Sequence, residues 1–136
     1  MTFGYRDANI ELTKWLILYG RWCSIKITYA NSKVEKYFTD YKRMQKALPA
    51  DWVRTIKKHM DRLIAADCFG DFLKLGLGKP EQLTGYKNIR YSLHVAPNVR
   101  LIIEPNATQD TIMICTEIEV EGVSDYHGSK DNWYIP

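Results

Sequence analysis

Two runs of alternating apolar and polar residues, separated by one short turn, constrain this chain more than any other feature. Ile89, Tyr91, Leu93 and Val95 alternate with Arg90, Ser92 and His94; beyond Ala96-Pro97-Asn98, Val99, Leu101 and Ile103 alternate with Arg100, Ile102 and Glu104. A period of two sends successive side chains to opposite faces of a strand, so the two runs predict a β-hairpin with one apolar face. An isolated hairpin is marginal in water. The rest of the chain must therefore cover that face.

The flanking sequence supplies the cover. Ile25 to Tyr29 alternates and predicts a short strand ending at Asn31-Ser32. Ser32-Lys33-Val34-Glu35 has the form of a capping box, and Val34, Tyr37, Phe38, Tyr41 and Met44 recur at helical spacing up to Leu48-Pro49. A second helix is predicted from about Asp51, with Trp52, Val53, Ile56, Met60, Leu63 and Ile64 inward and His59 at its edge. So short a link predicts an antiparallel helix pair. Glycines at 70, 76, 78 and 85 with Pro80 predict a long loop from Phe69 to Gly85. A further strand is expected from about Thr111 to Val120, with Ile112, Ile114, Ile118 and Val120 on one face, then a break at Gly122. The order predicts an α+β fold in which the helix pair packs on a twisted, mainly antiparallel sheet. With 136 residues and 46% hydrophobic content, one domain is expected.

Charge is distributed unevenly. Residues 26–100 hold fifteen Lys or Arg against seven Asp or Glu, a balance of +8; residues 101–136 hold one Lys against seven acids, a balance of −6. A basic segment of that size suits a polyanion such as RNA, with affinity that falls as salt is added. The longest apolar run, Trp15-Leu16-Ile17-Leu18-Tyr19, is well short of the ~20 residues of a spanning helix. No leader pattern precedes it, so a soluble, cytoplasmic protein without membrane contact is expected. Cys23, Cys68 and Cys115 have no metal-ligand or disulfide spacing, which predicts reduced cysteines and no metal.

The candidate site is the tripeptide Asp125-Tyr126-His127 with the arginines of the hairpin, Arg90 and Arg100. A carboxylate, a phenol and an imidazole in succession can exchange protons with a ribose hydroxyl or a phosphate ester. A guanidinium is the side chain best shaped to hold the phosphate.

At these residues the chain resembles the RelE/ParE superfamily of type II toxins, and within it the HigB branch, the plasmid maintenance system killer proteins. The resemblance spans about 25–128. It rests on the strand-helix-helix-sheet order, Pro80-x-x-Leu83-x-Gly85, Tyr91-Ser92-Leu93-x-Val95, Asn98-Val99-Arg100-Leu101-Ile102 and the closing Asp125-Tyr126-His127. It implies a RelE/ParE-like toxin domain over 25–136 and a ribosome-dependent mRNA endonuclease, or mRNA interferase, that uses no metal or cofactor and acts in the ribosomal A site. It also implies a HigA-like helix-turn-helix antitoxin as partner, with operator DNA reached only through that antitoxin. The catalytic residues it implies are Arg100, Asp125, Tyr126 and His127. Family members often carry a His and a Lys before the glycine of the Leu-x-Gly segment, where this chain has Glu81 and Thr84. Lys79 or Lys87 is expected to supply a cation there, and Arg90 to contact RNA. Residues 1–24 form an N-terminal extension relative to the family: an added element, an interaction surface, or the product of an upstream start codon. Two other readings stand beside the endonuclease: a ParE-like inhibitor of DNA gyrase, and a catalytically degenerate module that only binds an antitoxin.

Overall fold

The computed structural model describes residues 24–127 and 130–135. The chain enters at β1 (Lys26–Tyr29) and turns into α1 (Ser32–Phe38). The N-cap of α1 is Asn31, whose Oδ1 accepts from the Val34 N–H at 3.0 Å, one residue before the predicted Ser32 to Glu35 box. The single helix expected up to Leu48 is two, because α2 (Tyr41–Ala47) starts afresh after Thr39-Asp40. Side-chain chemistry accounts for the break. The Thr39 hydroxyl donates back to the Glu35 carbonyl at 2.7 Å, and the Asp40 carboxylate accepts from the Arg43 N–H at 3.3 Å. Both residue types offer the backbone partners that compete with helix continuation. The apolar face survives the break, with Val34, Phe38 and Met44 all buried.

After Pro49 the amphipathic helix α3 (Ala50–Ala65) buries Val53, Ile56, Met60 and Leu63. Ile64, predicted inward, is 53% exposed, and His59 lies wholly inside the face instead of at its edge. The stretch predicted as one long loop contains α4 (Phe69–Lys74) and β2 (Glu81–Leu83). Phe69 and Phe72 lie one turn apart and stack at 5.8 Å, and both are buried. That apolar pair outweighs the low helix propensity of Gly70.

The hairpin forms as β3 (Arg90–Ala96) and β4 (Val99–Pro105), with Asn98 in the left-handed region. Beyond it the predicted strand starts late. Ile112–Ile114 is a 3₁₀ turn that buries Ile112 and leaves Ile114 72% exposed, so the two do not share a face. β5 (Glu117–His127) then runs straight through Gly122, where a break was expected. At Gly122 φ is +142° and an added Cβ would overlap the Ile135 carbonyl. The glycine is there to admit a neighbouring strand, β6 (Lys130–Ile135), which periodicity did not reveal.

Among the described residues the sheet runs β1-β5-β4-β3-β2, with β6 also on β5; β1 is parallel to β5 and the other pairs are antiparallel. Over the described residues the result is a four-helix, six-stranded α+β fold. Val34, Phe38, Met44, Val53, Ile56, Met60, Leu63, Leu93, Leu101, Ile103, Ile118, Val120 and Val123 form one buried cluster between helices and sheet. At roughly 1.5–3 kcal/mol per large apolar side chain, this layer is the main source of stability. The alternate residues, Arg90, Ser92 and His94 on β3 and Arg100, Ile102 and Glu104 on β4, take the face away from it. No helix among the described residues is long and apolar enough to cross a membrane.

Candidate active site

The β3–β4 register sets His94 opposite Arg100, and the β4–β5 register sets Arg100 opposite Ser124 and Val99 opposite Asp125. The strand that carries Arg100 therefore lies directly beside the end of β5. Arg100 Nη1 donates to the carbonyls of Ala96 and Val99, at 3.3 and 3.2 Å, which folds the guanidinium toward the hairpin turn. Asp125 follows Ser124, so alternation turns it to the other face, where the Tyr134 hydroxyl donates to its Oδ2 at 3.5 Å. Tyr134 in turn meets Trp52 of α3 edge-on at 5.3 Å. Tyr126 and His127 continue β5, their backbones paired with Asp131 and Lys130. Their side chains lie outside the described residues, as does the extension except for Ser24.

His94 is anchored at both ends of its own peptide units. Its N–H donates to the Gly78 carbonyl at 2.8 Å, and its carbonyl accepts from His59 Nε2 at 2.7 Å. His59 is 2% exposed, and its ring packs on Gly78, whose φ is +78° and where a Cβ would come within 2.5 Å of the imidazole. Burial, above all, holds the His59 ring below its ordinary pKa, so it is neutral, with Nε2 the protonated nitrogen and Nδ1 without a donor among the described residues. Beyond Gly78 comes Lys79, exposed and held at φ +48°. Partial desolvation and the charges of Arg100 and Lys79 hold the His94 ring below its usual pKa as well.

The other predicted cations are elsewhere. Lys87 is exposed in the link between β2 and β3. Arg90 stands at the far end of β3 from His94, about 13 Å along the strand at ~3.3 Å per residue. Its Nη2 and Nε contact Glu104 Oε2 at 2.6 and 2.8 Å, Nη2 lies 3.8 Å from Glu121, and the Tyr86 ring is 4.4 Å away. Glu81, exposed on β2, pairs with Ser92, and Thr84 is exposed just beyond that strand.

Around Arg90 the sheet gathers acids that sequence reasoning did not single out. Glu104, Glu119 and Glu121 each present an oxygen within 4.8 Å of the others, close enough for one hard cation to bridge them. Burial pushes the Glu121 carboxyl up to about 8, helped by a hydrogen bond with Glu119 and the charges of Glu104 and Glu119, against the pull of Arg90. A cleft of about 310 Å³ opens alongside, lined by Thr28, Asn88, Asn106, Glu104, Glu117 and Glu119 among others. The signal for this cluster is the alternation Glu117-x-Glu119-x-Glu121, which puts three acids on one face of β5.

Comparison of the chain with protein-family models, with curated proteins and with solved structures found no match.

Proposed function

We propose that residues 25–136 form a HigB-type toxin that cleaves mRNA on the ribosome and is neutralised in the cytoplasm by a helix-turn-helix antitoxin. The observation that carries this reading is the pairing of Arg100 with Ser124 and of Val99 with Asp125. A guanidinium-bearing strand thereby lies beside the strand end that supplies Asp125, Tyr126 and His127. Cleavage next to a ribose requires the 2′-hydroxyl to lose a proton, the phosphorane charge to be stabilised and the 5′-oxygen to gain a proton.

In this reading Arg100, permanently charged and planar, stabilises the phosphorane. His127, an imidazole at the end of the adjoining strand, exchanges protons with the RNA. Tyr126 stacks on a base, and Asp125 orients the end of β5 through Tyr134. Lys79 and Lys87 attract the RNA backbone. Arg90, already ion-paired with Glu104, shapes the sheet beside the RNA.

The test is a cell-free translation reaction with purified protein and a reporter mRNA, the 5′ ends mapped by primer extension, with His127→Ala in parallel. Cuts that require translating ribosomes and vanish in the variant support the reading. Intact mRNA from folded protein overturns it in favour of a gyrase inhibitor or an antitoxin-binding module.

A further inference from the structure

We infer that His94 is a catalytic residue of this site, the group that removes the proton from the 2′-hydroxyl. The inference rests on the endonuclease reading above and deepens it, since neither Glu81 nor Thr84 supplies an imidazole or ammonium at the loop. Three observations carry it. His94 is the register partner of Arg100, so its ring emerges beside the guanidinium that holds the phosphate. The register slips between His94 and Ala96, a bulge of the kind that re-aims a side chain at a strand end. Finally, both peptide units of His94 are fixed, one by Gly78 and one by His59, which removes backbone freedom from a partly exposed ring.

The same anchor positions Lys79. Its neighbour Gly78 is hydrogen-bonded to His94, and its charge is felt at the His94 ring together with that of Arg100. Partial burial and the charges of both Arg100 and Lys79 thus disfavour charging of the His94 imidazole. Cations there suit a phosphodiester, and a neutral ring nitrogen is ready to accept a proton at physiological pH. In the step itself, His94 takes the 2′-hydroxyl proton and the 2′-oxygen bonds to phosphorus. The bond from phosphorus to the 5′-oxygen breaks, and that oxygen takes a proton from water. The products are a 2′,3′-cyclic phosphate and a 5′-hydroxyl. His94 then returns its proton to solvent.

The experiment compares wild-type protein, His94→Gln and His94→Ala in the translation reaction. It reads the cleavage rate under single-turnover conditions, the affinity for ribosome-bound mRNA, the thermal midpoint, and the effect of added imidazole. The expected result is a loss of about 100-fold or more in rate for both variants, affinity and midpoint close to wild type, and partial recovery of His94→Ala by imidazole. Near-wild-type cleavage by His94→Gln overturns the inference and leaves the endonuclease standing. A loss that tracks a collapsed midpoint and does not respond to imidazole also overturns it, by giving His94 a structural role. If wild-type protein leaves mRNA intact, the proposed function falls and this inference falls with it.

Discussion

The two ends of the β3–β4 hairpin carry opposite chemistry on one face. At the turn end, partial desolvation and then the charges of Arg100 and Lys79 hold the His94 ring below its usual pKa. At the other end, Glu104, Glu119 and Glu121 crowd around Arg90, and one carboxyl is kept protonated to about pH 8. One end suppresses a positive charge among cations and the other suppresses a negative charge among anions. A polyanion is attracted by the first and repelled by the second, so in the proposed endonuclease the hairpin would give RNA a direction as well as a site. The difference also separates two kinds of arginine: Arg100 is oriented by backbone carbonyls, whereas Arg90 is consumed by carboxylates.

The largest expected effect tests that separation. Arg100→Ala should lower single-turnover cleavage by about 10²–10³-fold while the unfolding midpoint in urea stays near that of wild type. Arg90→Ala should do the reverse: it leaves Glu104 and Glu119 without their counter-charge and costs about 3 kcal/mol of stability, with the surviving folded fraction cleaving normally. The adjoining double variant Arg90→Ala/Glu104→Gln should recover part of that loss. Equal loss of cleavage from both arginine variants at matched stability would erase the distinction between the two ends.

Much of this arrangement was present in the sequence, and the hairpin shows how. The residues of both runs that join the helix-covered core are odd-numbered, so partners that share a face must sum to an even number, as His94 and Arg100 do. A plain two-residue turn pairing Ala96 with Val99 gives an odd sum and would oppose Val95 to Arg100. The observed slip between His94 and Ala96 resolves the conflict; the bulge is thus dictated by side-chain periodicity, and with it the pairing of His94 and Arg100. Other parts were not legible for identifiable reasons. Thr39-Asp40 sits inside an unbroken apolar period, so capping chemistry overrode a pattern that predicted one helix. Gly70 and its neighbours hid α4 behind a loop-like composition, and Gly122 was read as a break when its function is to admit β6. The acidic cluster needs strands far apart in sequence, Glu104 on β4 and Glu119 and Glu121 on β5, and pairing across strands is not visible in a linear count.

A smaller effect sharpens the comparison through pH. Glu121 has a folded pKa raised to about 8 from 4.5, so between those values the folded state holds a proton that the unfolded chain has released. Stability contributed by that proton is fully present below about pH 4.5 and is lost as pH rises toward 8. His59 works in the opposite sense. Its folded pKa is lowered from 6.5, so its contribution is present above 6.5 and is lost as pH falls through the folded value. Urea unfolding from pH 5 to 9 should show a decline on the alkaline side, on the order of 1–2 kcal/mol, that Glu121→Gln flattens. An alkaline limb unchanged in that variant would show that the carboxylates relax apart instead of sharing a proton.

The smallest effect concerns Lys79, the exposed cation of the turn end. Its ammonium is compact and hydrated, so it attracts a phosphate without orienting it as a guanidinium does. Lys79→Gln should therefore weaken RNA binding uniformly across sequences and lower the slope of log affinity against log salt by about 0.7, the value for one phosphate contact on a single strand. Arg90→Ala should leave that slope where it is, because the acids beside it already neutralise the guanidinium at that end of the hairpin. Measuring both slopes with a single-stranded oligonucleotide at several salt concentrations decides which end meets the backbone. A reduced slope for Arg90→Ala with none for Lys79→Gln would reverse the direction in which RNA crosses the sheet, and would move the reacting phosphate away from His94.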